Sequence, residues 1–119
     1  MNENIGYAVG DTGVILKTIN AGVNWSRQIS GSADDLYSVH FINENYGMTC
    51  GKNSKVFKTT NGGLNWIVNT ITPFDYFNSL FLIDANTGIM ATDVRTYRTT
   101  NAGQNWNVQT SGRGSDIFF

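Results

Sequence analysis

At 119 residues and 13.1 kDa, with 40% hydrophobic and 13% aromatic residues, the chain has the size and composition of one globular domain or part of one. A formal net charge of −1 and only 14% charged residues give no electrostatic footprint for nucleic acid or an anionic membrane surface, so nucleic acid is excluded as an expected partner. The single cysteine, Cys50, excludes an internal disulfide, no apolar run approaches spanning length, and Met1-Asn2-Glu3-Asn4 does not read as a signal peptide, so membrane insertion is not expected and the compartment is left unassigned.

In chain order, Gly6-Tyr7-Ala8-Val9-Gly10 comes first and matches Gly47-Met48-Thr49-Cys50-Gly51 and, more loosely, Gly88-Ile89-Met90-Ala91-Thr92. Val14-Ile15-Leu16-Lys17-Thr18 then matches Lys55-Val56-Phe57-Lys58-Thr59 and, after a one-residue deletion, Arg95-Thr96-Tyr97-Arg98-Thr99. The next element, Thr18-Ile19-Asn20-Ala21-Gly22-Val23-Asn24-Trp25, returns as Thr59-Thr60-Asn61-Gly62-Gly63-Leu64-Asn65-Trp66 and Thr99-Thr100-Asn101-Ala102-Gly103-Gln104-Asn105-Trp106. Finally, Leu36-Tyr37-Ser38-Val39-His40-Phe41-Ile42 matches Phe77-Asn78-Ser79-Leu80-Phe81-Leu82-Ile83. The tryptophans recur at intervals of 41 and 40 residues.

Each run is short, rich in β-branched and aromatic residues and bounded by Gly, Asn or Asp, the signature of a strand. Asn-x-Gly is a tight-turn signal, because the Asn side chain bonds nearby backbone and Gly tolerates positive φ. Thr before the turn can anchor it with its hydroxyl, and Trp after it is an apolar plate that can cover the hairpin against a neighbouring sheet. A forty-residue repeat of four such strands predicts an all-β fold of β-propeller blades, each of four antiparallel strands. In the uninterrupted repeat, strand a spans 36–42, b 46–51, c 55–60 and d 64–69, and no helix is expected. Apolar residues on both faces of the strands fit sheets stacked face to face.

The blades divide the chain into a partial blade of strands b, c and d over about 5–35, full blades over 36–76 and 77–115, and a spare strand a at Asp116-Ile117-Phe118-Phe119. Three blade-equivalents are too few to close a ring of about four to eight blades. Two chains exchanging strands 116–119 would make a six-bladed homodimer, while an excised piece of a longer propeller explains the same layout. Both readings stay open here.

The hairpin resembles the Asp-box, or BNR, repeat (Ser/Thr-x-Asp-x-Gly-x-x-Trp) of sialidase-like propellers, with Asn20, Asn61 and Asn101 at the Asp place. The whole pattern, with its Gly-rich strand before the box, resembles the Ycf48/HCF136 photosystem II assembly-factor family. That resemblance covers almost the whole chain and implies a chaperone-like factor for a membrane complex, in a family whose members are often exported. The sialidase resemblance implies an arginine cluster, a Tyr nucleophile with a Glu partner and an Asp acid. The arginines are Arg27, Arg95, Arg98 and Arg113, none in a recognisable motif, and Glu occurs only as Glu3 and Glu44.

Other chemistry is equally sparse. His40 aligns with Phe81 and Phe118 and reads as a packed ring, and Cys50 aligns with Val9 and Ala91 and reads as a small core residue. No His, Cys or carboxylate cluster has metal spacing, so neither metal nor cofactor is expected. Asp34-Asp35 reads as a solvated loop pair sooner than a calcium site, and Asp11-Thr12-Gly13 as a turn. Lys17, Lys58 and Arg98 form a repeated basic position, read as solvated strand charges. A binding face is expected on the rim opposite the Asn-x-Gly hairpins, from connections 29–35, 71–76 and 109–115 and turns 11–13, 52–55 and 93–95. Its candidate contacts are Asp34, Asp35, Phe74, Asp75, Tyr76, Arg95 and Arg113, with Phe77 as a third aromatic beside Phe74 and Tyr76. The expected function is a non-enzymatic protein-binding or assembly scaffold. The alternative is a carbohydrate-binding or sialidase-like glycoside-hydrolase fragment.

Overall fold

A computed structural model of the chain describes residues 3–71, 76–93 and 95–111. Eleven strands among them form three antiparallel sheets. The first contains β1 (Gly6–Val9), β2 (Ile15–Thr18) and β3 (Ser26–Gln28), in that order. The second is β4 (Leu36–Phe41), β5 (Gly47–Gly51), β6 (Lys55–Thr59) and β7 (Ile67–Thr70). The third is β8 (Ser79–Leu82), β9 (Gly88–Ala91), β10 (Arg95–Thr99) and β11 (Asn107–Ser111). Each is a meander in sequence order, and the first has no inner strand among the described residues. The strand expected over 116–119 lies outside the described residues.

Register follows the sequence repeat. Gly6 pairs with Thr18, Gly47 with Thr59 and Gly88 with Thr99, so each Gly-rich strand begins beside the Thr that opens the turn after its neighbour. The fourth strand starts later than expected, at Ile67 instead of residue 64, because residues 61–66 are held in the turn. The first two b–c connections are three-residue turns at Asp11–Gly13 and Lys52–Ser54, in which Thr12 and Asn53 take left-handed φ of 58° and 65°. Gly51 is demanded by a close approach: a Cβ there would meet the Asp35 carbonyl oxygen at 2.2 Å.

The core lies between the sheets, not inside any of them. Ile15, with Tyr7 and Val9, packs from the first sheet onto Leu36, Phe57 and Trp66 of the second. The Tyr7 and Phe41 rings stack at 3.7 Å with 5° between their planes. On the second sheet's other face, Met48, Cys50, Val56 and Ile71 meet Phe77, Leu80, Met90, Tyr97 and Trp106. Alternation along β5 and β6 therefore sends residues of both faces into apolar surroundings, so Met48, Thr49 and Cys50 are all fully buried. The inner edges are joined as well. The N–H of Leu80 donates to Ser38 Oγ at 3.1 Å and that of Leu82 to His40 Nδ1 at 3.0 Å.

The three tryptophans share a place in the repeat but not in the core. Trp106 is 6% exposed and Trp66 half-buried, whereas Trp25 is 46% exposed. Each Trp faces the sheet preceding its own, and no described sheet precedes the first. Phe57, 2% exposed between two sheets, tests this arrangement directly. Phe57→Ala should lower the unfolding free energy in urea by about 3–5 kcal/mol. A change within error would mean that the faces are not mutually buried.

Candidate binding rim and the lock between sheets

The Thr-x-Asn-x-Gly-x-Asn-Trp turn makes one hydrogen-bond pattern three times. The Thr hydroxyl donates to the Asn side-chain oxygen in Thr18–Asn20, Thr59–Asn61 and Thr99–Asn101, at 2.9, 3.0 and 3.0 Å. The same hydroxyl accepts the N–H of Gly22, Gly63 and Gly103 at 2.9 Å each. The Asn oxygen then accepts the N–H of Asn24, Asn65 and Asn105 at 2.8, 3.0 and 3.0 Å. Its amide nitrogen donates to the side-chain oxygen of that second Asn. This network holds Ala21 and Ala102 at φ 60° and 63°, a left-handed conformation that costs a residue with a Cβ. The middle copy has Gly62 there, at φ 71°.

The repeated basic position differs from its expected role as a solvated charge. Lys17 Nζ donates to the Gly62 carbonyl at 2.8 Å, where the Tyr7 hydroxyl also donates at 2.9 Å, and lies 5.4 Å from the Tyr7 ring centroid. Lys58 Nζ donates to the equivalent Ala102 carbonyl at 3.1 Å and lies 5.2 Å from the Tyr46 ring. Each cation thus clamps the following sheet's turn, and Asn69 adds bonds to the Gly103 and Gln104 carbonyls at 3.0 and 3.1 Å. Periodicity displayed the position but not the carbonyl that waits for it across a sheet interface.

At the opposite rim, the connections between sheets meet the b–c turns. Leu36 N–H donates to the Gly10 carbonyl, Lys52 N–H to that of Asp35, and Phe77 N–H to that of Gly51. Asp35 Oδ1 accepts the Thr12 N–H at 2.9 Å. Asp34 pairs with Lys55 Nζ at 3.2 Å, and hydrogen bonds from Asn53 and then Lys55 hold its carboxyl below the usual carboxylate range. Both aspartates therefore brace the crossing from the first sheet to the second, and no group of three or more His, Cys, Asp or Glu fit for a metal occurs among the described residues.

Tyr76 is 47% exposed at the next crossing, beside the Asn78–Asp93 bond of 2.9 Å. Arg95 is half-buried at the start of β10, its N–H donating to Thr92 Oγ1. Phe77, expected to face a partner, is instead fully buried edge-on to Tyr97 at 5.2 Å. Following the last crossing, it is the first residue pinned to the second sheet and must turn inward. Phe74, Asp75 and Arg113 lie outside the described residues.

The remaining polar singletons are structural. His40 stacks on Phe81 at 4.7 Å, and burial lowers its pKa, consistent with a neutral ring whose Nδ1 accepts from Leu82. Cys50 is fully buried, and desolvation pushes its thiol pKa far up, leaving no thiolate for nucleophilic or metal chemistry. Among the described residues no helix is long and apolar enough to cross a membrane.

A family profile described as the photosynthesis system II assembly factor YCF48 matches residues 1–115. Among solved structures, the chain superposes on YCF48 bound to a D1 peptide with a TM-score of 0.82 and 24% identity, over 93% of this chain and 38% of that one. It matches YCF48 from Cyanidioschyzon merolae with a TM-score of 0.77 and 24% identity, over 90% and 37% of the two chains. An ancestral GH74 enzyme matches with a TM-score of 0.68 and 19% identity, over 88% and 17%. The chain spans less than two fifths of either YCF48 structure's length. At these identities the likeness establishes the fold: the three sheets are β-propeller blades. No curated protein matches the sequence significantly.

Two measurements check the geometry. Thr59→Val keeps the shape of a 1%-exposed side chain but leaves the Gly63 N–H unpaired, and should cost about 1–3 kcal/mol of stability in chemical denaturation. Asp34 has a folded pKa below its unfolded value near 3.8. Its contribution is therefore complete above that value and disappears as pH falls through the lower folded one. Thermal melts between neutral pH and pH 3 should show this loss in the wild type and a smaller one in Asp34→Asn; identical pH profiles would remove Asp34 from the linkage.

Proposed function

This chain belongs to the family of the photosynthesis system II assembly factor YCF48, and from that premise we propose that it is a non-enzymatic scaffold holding a protein partner on its rim. The observation carrying the reading is the relative of the same fold bound to a D1 peptide, superposing over 93% of this chain. The rim suits an extended peptide. Asp34 and Asp35 present carboxylates, Arg95 a guanidinium and Tyr76 a half-exposed ring, on segments whose backbone is fixed by bonds to neighbouring turns. Phe74, Asp75 and Arg113 belong to the same surface in this reading. The glycoside-hydrolase alternative has the GH74 likeness behind it, which at 19% identity is a likeness of fold alone.

The same reading includes a pair of chains. β1 has no inner strand beside it among the described residues, and residues 116–119 of a second copy would complete that sheet and give a six-bladed ring. Sedimentation equilibrium should then return the mass of two chains.

For the rim, the test is calorimetric titration with a D1-derived peptide. Binding is expected, weakened about tenfold or more by Arg95→Ala and by Tyr76→Ala. Unchanged affinity in both variants would move the site off this rim, and no binding by the wild type would remove the peptide as partner.

A further inference from the structure

The seam between the second and third blades is looser than the seam before it. At the first seam Gly62 and Gly63 are buried, and Gln28 Oε1 lies 2.8 Å from where a Cβ of Gly63 would stand. At the second, Ala102 and Gly103 are only half-buried, and Gln28's place is taken by Asn69, shorter by a methylene. Asn69 still bridges the blades through the Gly103 and Gln104 carbonyls. Two clefts of about 400 and 450 Å³ flank that bridge, both lined by Asn69 and Gln104. Their walls belong to two four-stranded blades already packed on each other, so neither cleft is a bare sheet face.

The two clefts differ in chemistry. The larger is apolar, lined by Met48 and Val56 from the core and by Ile67 and Val68 from the surface, these last 69% and 51% exposed. Lys58, the one charged residue lining either cleft among the described residues, is already bonded to the Ala102 carbonyl. The smaller is polar and uncharged. The side chains of Gln104 and Asn107 and the hydroxyls of Thr70 and Thr100 line it without a hydrogen bond among the described residues. Trp106 lines it too, 6% exposed, and its buried Nε1 has no acceptor. In the first blade the matching Trp25 Nε1 donates to its own turn, at the Gly22 carbonyl, 3.1 Å away. In the third, Asn69 holds the matching Gly103 carbonyl, and the indole N–H is left unanswered. Trp66 Nε1 also lacks an acceptor, but at the seam that Gln28 closes.

We propose that the two clefts together form a second binding site, which takes an uncharged, extended peptide segment lying across the Asn69 bridge. A main-chain carbonyl of that segment accepts from Trp106 Nε1, and an unpaired buried donor is what such an acceptor relieves. The side-chain amides of Gln104 and Asn107 each offer one donor and one acceptor group, the same complement as a peptide unit. An aliphatic side chain of the segment enters the larger cleft and covers Ile67 and Val68. Charge selects the occupant: an acidic, basic or phosphorylated segment would lose water here and gain no counter-ion. A sugar ring is a poorer fit, because Trp106 is the one aromatic residue among the described linings and its face is buried. The site shares no residue with the opposite rim, so it stands or falls apart from the D1-peptide reading.

The experiment follows the indole N–H resonances of the 3 tryptophans in the isotope-labelled, full 119-residue chain. The probes are the blocked peptide acetyl-Ser-Val-Ser-Leu-Ser-amide and, as the saccharide arm, cellobiose. The peptide is expected to shift the Trp106 resonance and leave that of Trp25 in place. Its dissociation constant should rise about tenfold or more in Gln104→Ala and in Ile67→Ser, and stay unchanged in Tyr76→Ala at the rim. Gln104 and Ile67 are exposed, so both variants should keep the wild-type circular dichroism; if one does not, Asn107→Ala replaces it under the same criterion. No shift of Trp106 up to about 10 mM peptide overturns the proposal. So does a shift caused by cellobiose and not by the peptide, which would make the clefts a saccharide site. Affinity unchanged in both seam variants, or lost equally in Tyr76→Ala, would place the peptide elsewhere and overturn it as well.

Discussion

A four-stranded sheet that is apolar on both faces is insoluble by itself, and every other feature of this protein follows from hiding those faces. The second blade shows the constraint at its strictest. Met48 and Cys50 of β5 point one way into Leu80, Met90 and Tyr97, while Phe57 of β6 points the other way onto Ile15. Burial of a side chain as large as Phe57 contributes about 1.5–3 kcal/mol, so a few such residues per interface exceed what one hydrogen-bonded turn supplies. The polar bonds do not drive the stacking. They decide how far one blade turns relative to the next.

The Asn-x-Gly turn has two jobs that happen to need the same backbone. Within its own blade, Thr and Asn side chains saturate the turn's N–H groups and hold one residue at positive φ. That conformation turns the Gly62 or Ala102 carbonyl outward, where the preceding blade's lysine reaches it. A hairpin lock is thereby also a docking point, and blade spacing is set at the periphery by a cation and at the inner strands by Ser38 and His40.

Stabilising work and variable surface are separated in space. The lock and its cation occupy one rim. The connections between blades occupy the other, where Asp34 and Asp35 brace a crossing and leave neighbouring side chains such as Tyr76 half-exposed. A fold divided this way can change its rim chemistry without disturbing its stacking, and this chain shares the fold of both YCF48 and an ancestral GH74 enzyme.

The repeat made the architecture legible. Gly at the start of strand b, Thr at the end of strand c and Trp after the turn act through local geometry, so strand order, register and the lock could be read one residue after another. The ring packing of His40 and the burial of Cys50 were also readable, because aligned positions in sister repeats are apolar. What the sequence could not reveal was contact between repeats. Lys17 and Lys58 look like solvated charges until the next blade places a carbonyl against them, and Phe77 looks like a rim aromatic until the third sheet turns it inward against Tyr97. The identical motif likewise gave no reason for Trp25 to be exposed and Trp106 buried. Local bonding is fixed by residues a few positions apart, whereas burial depends on which sheet lies alongside, and only the packed chain decides that.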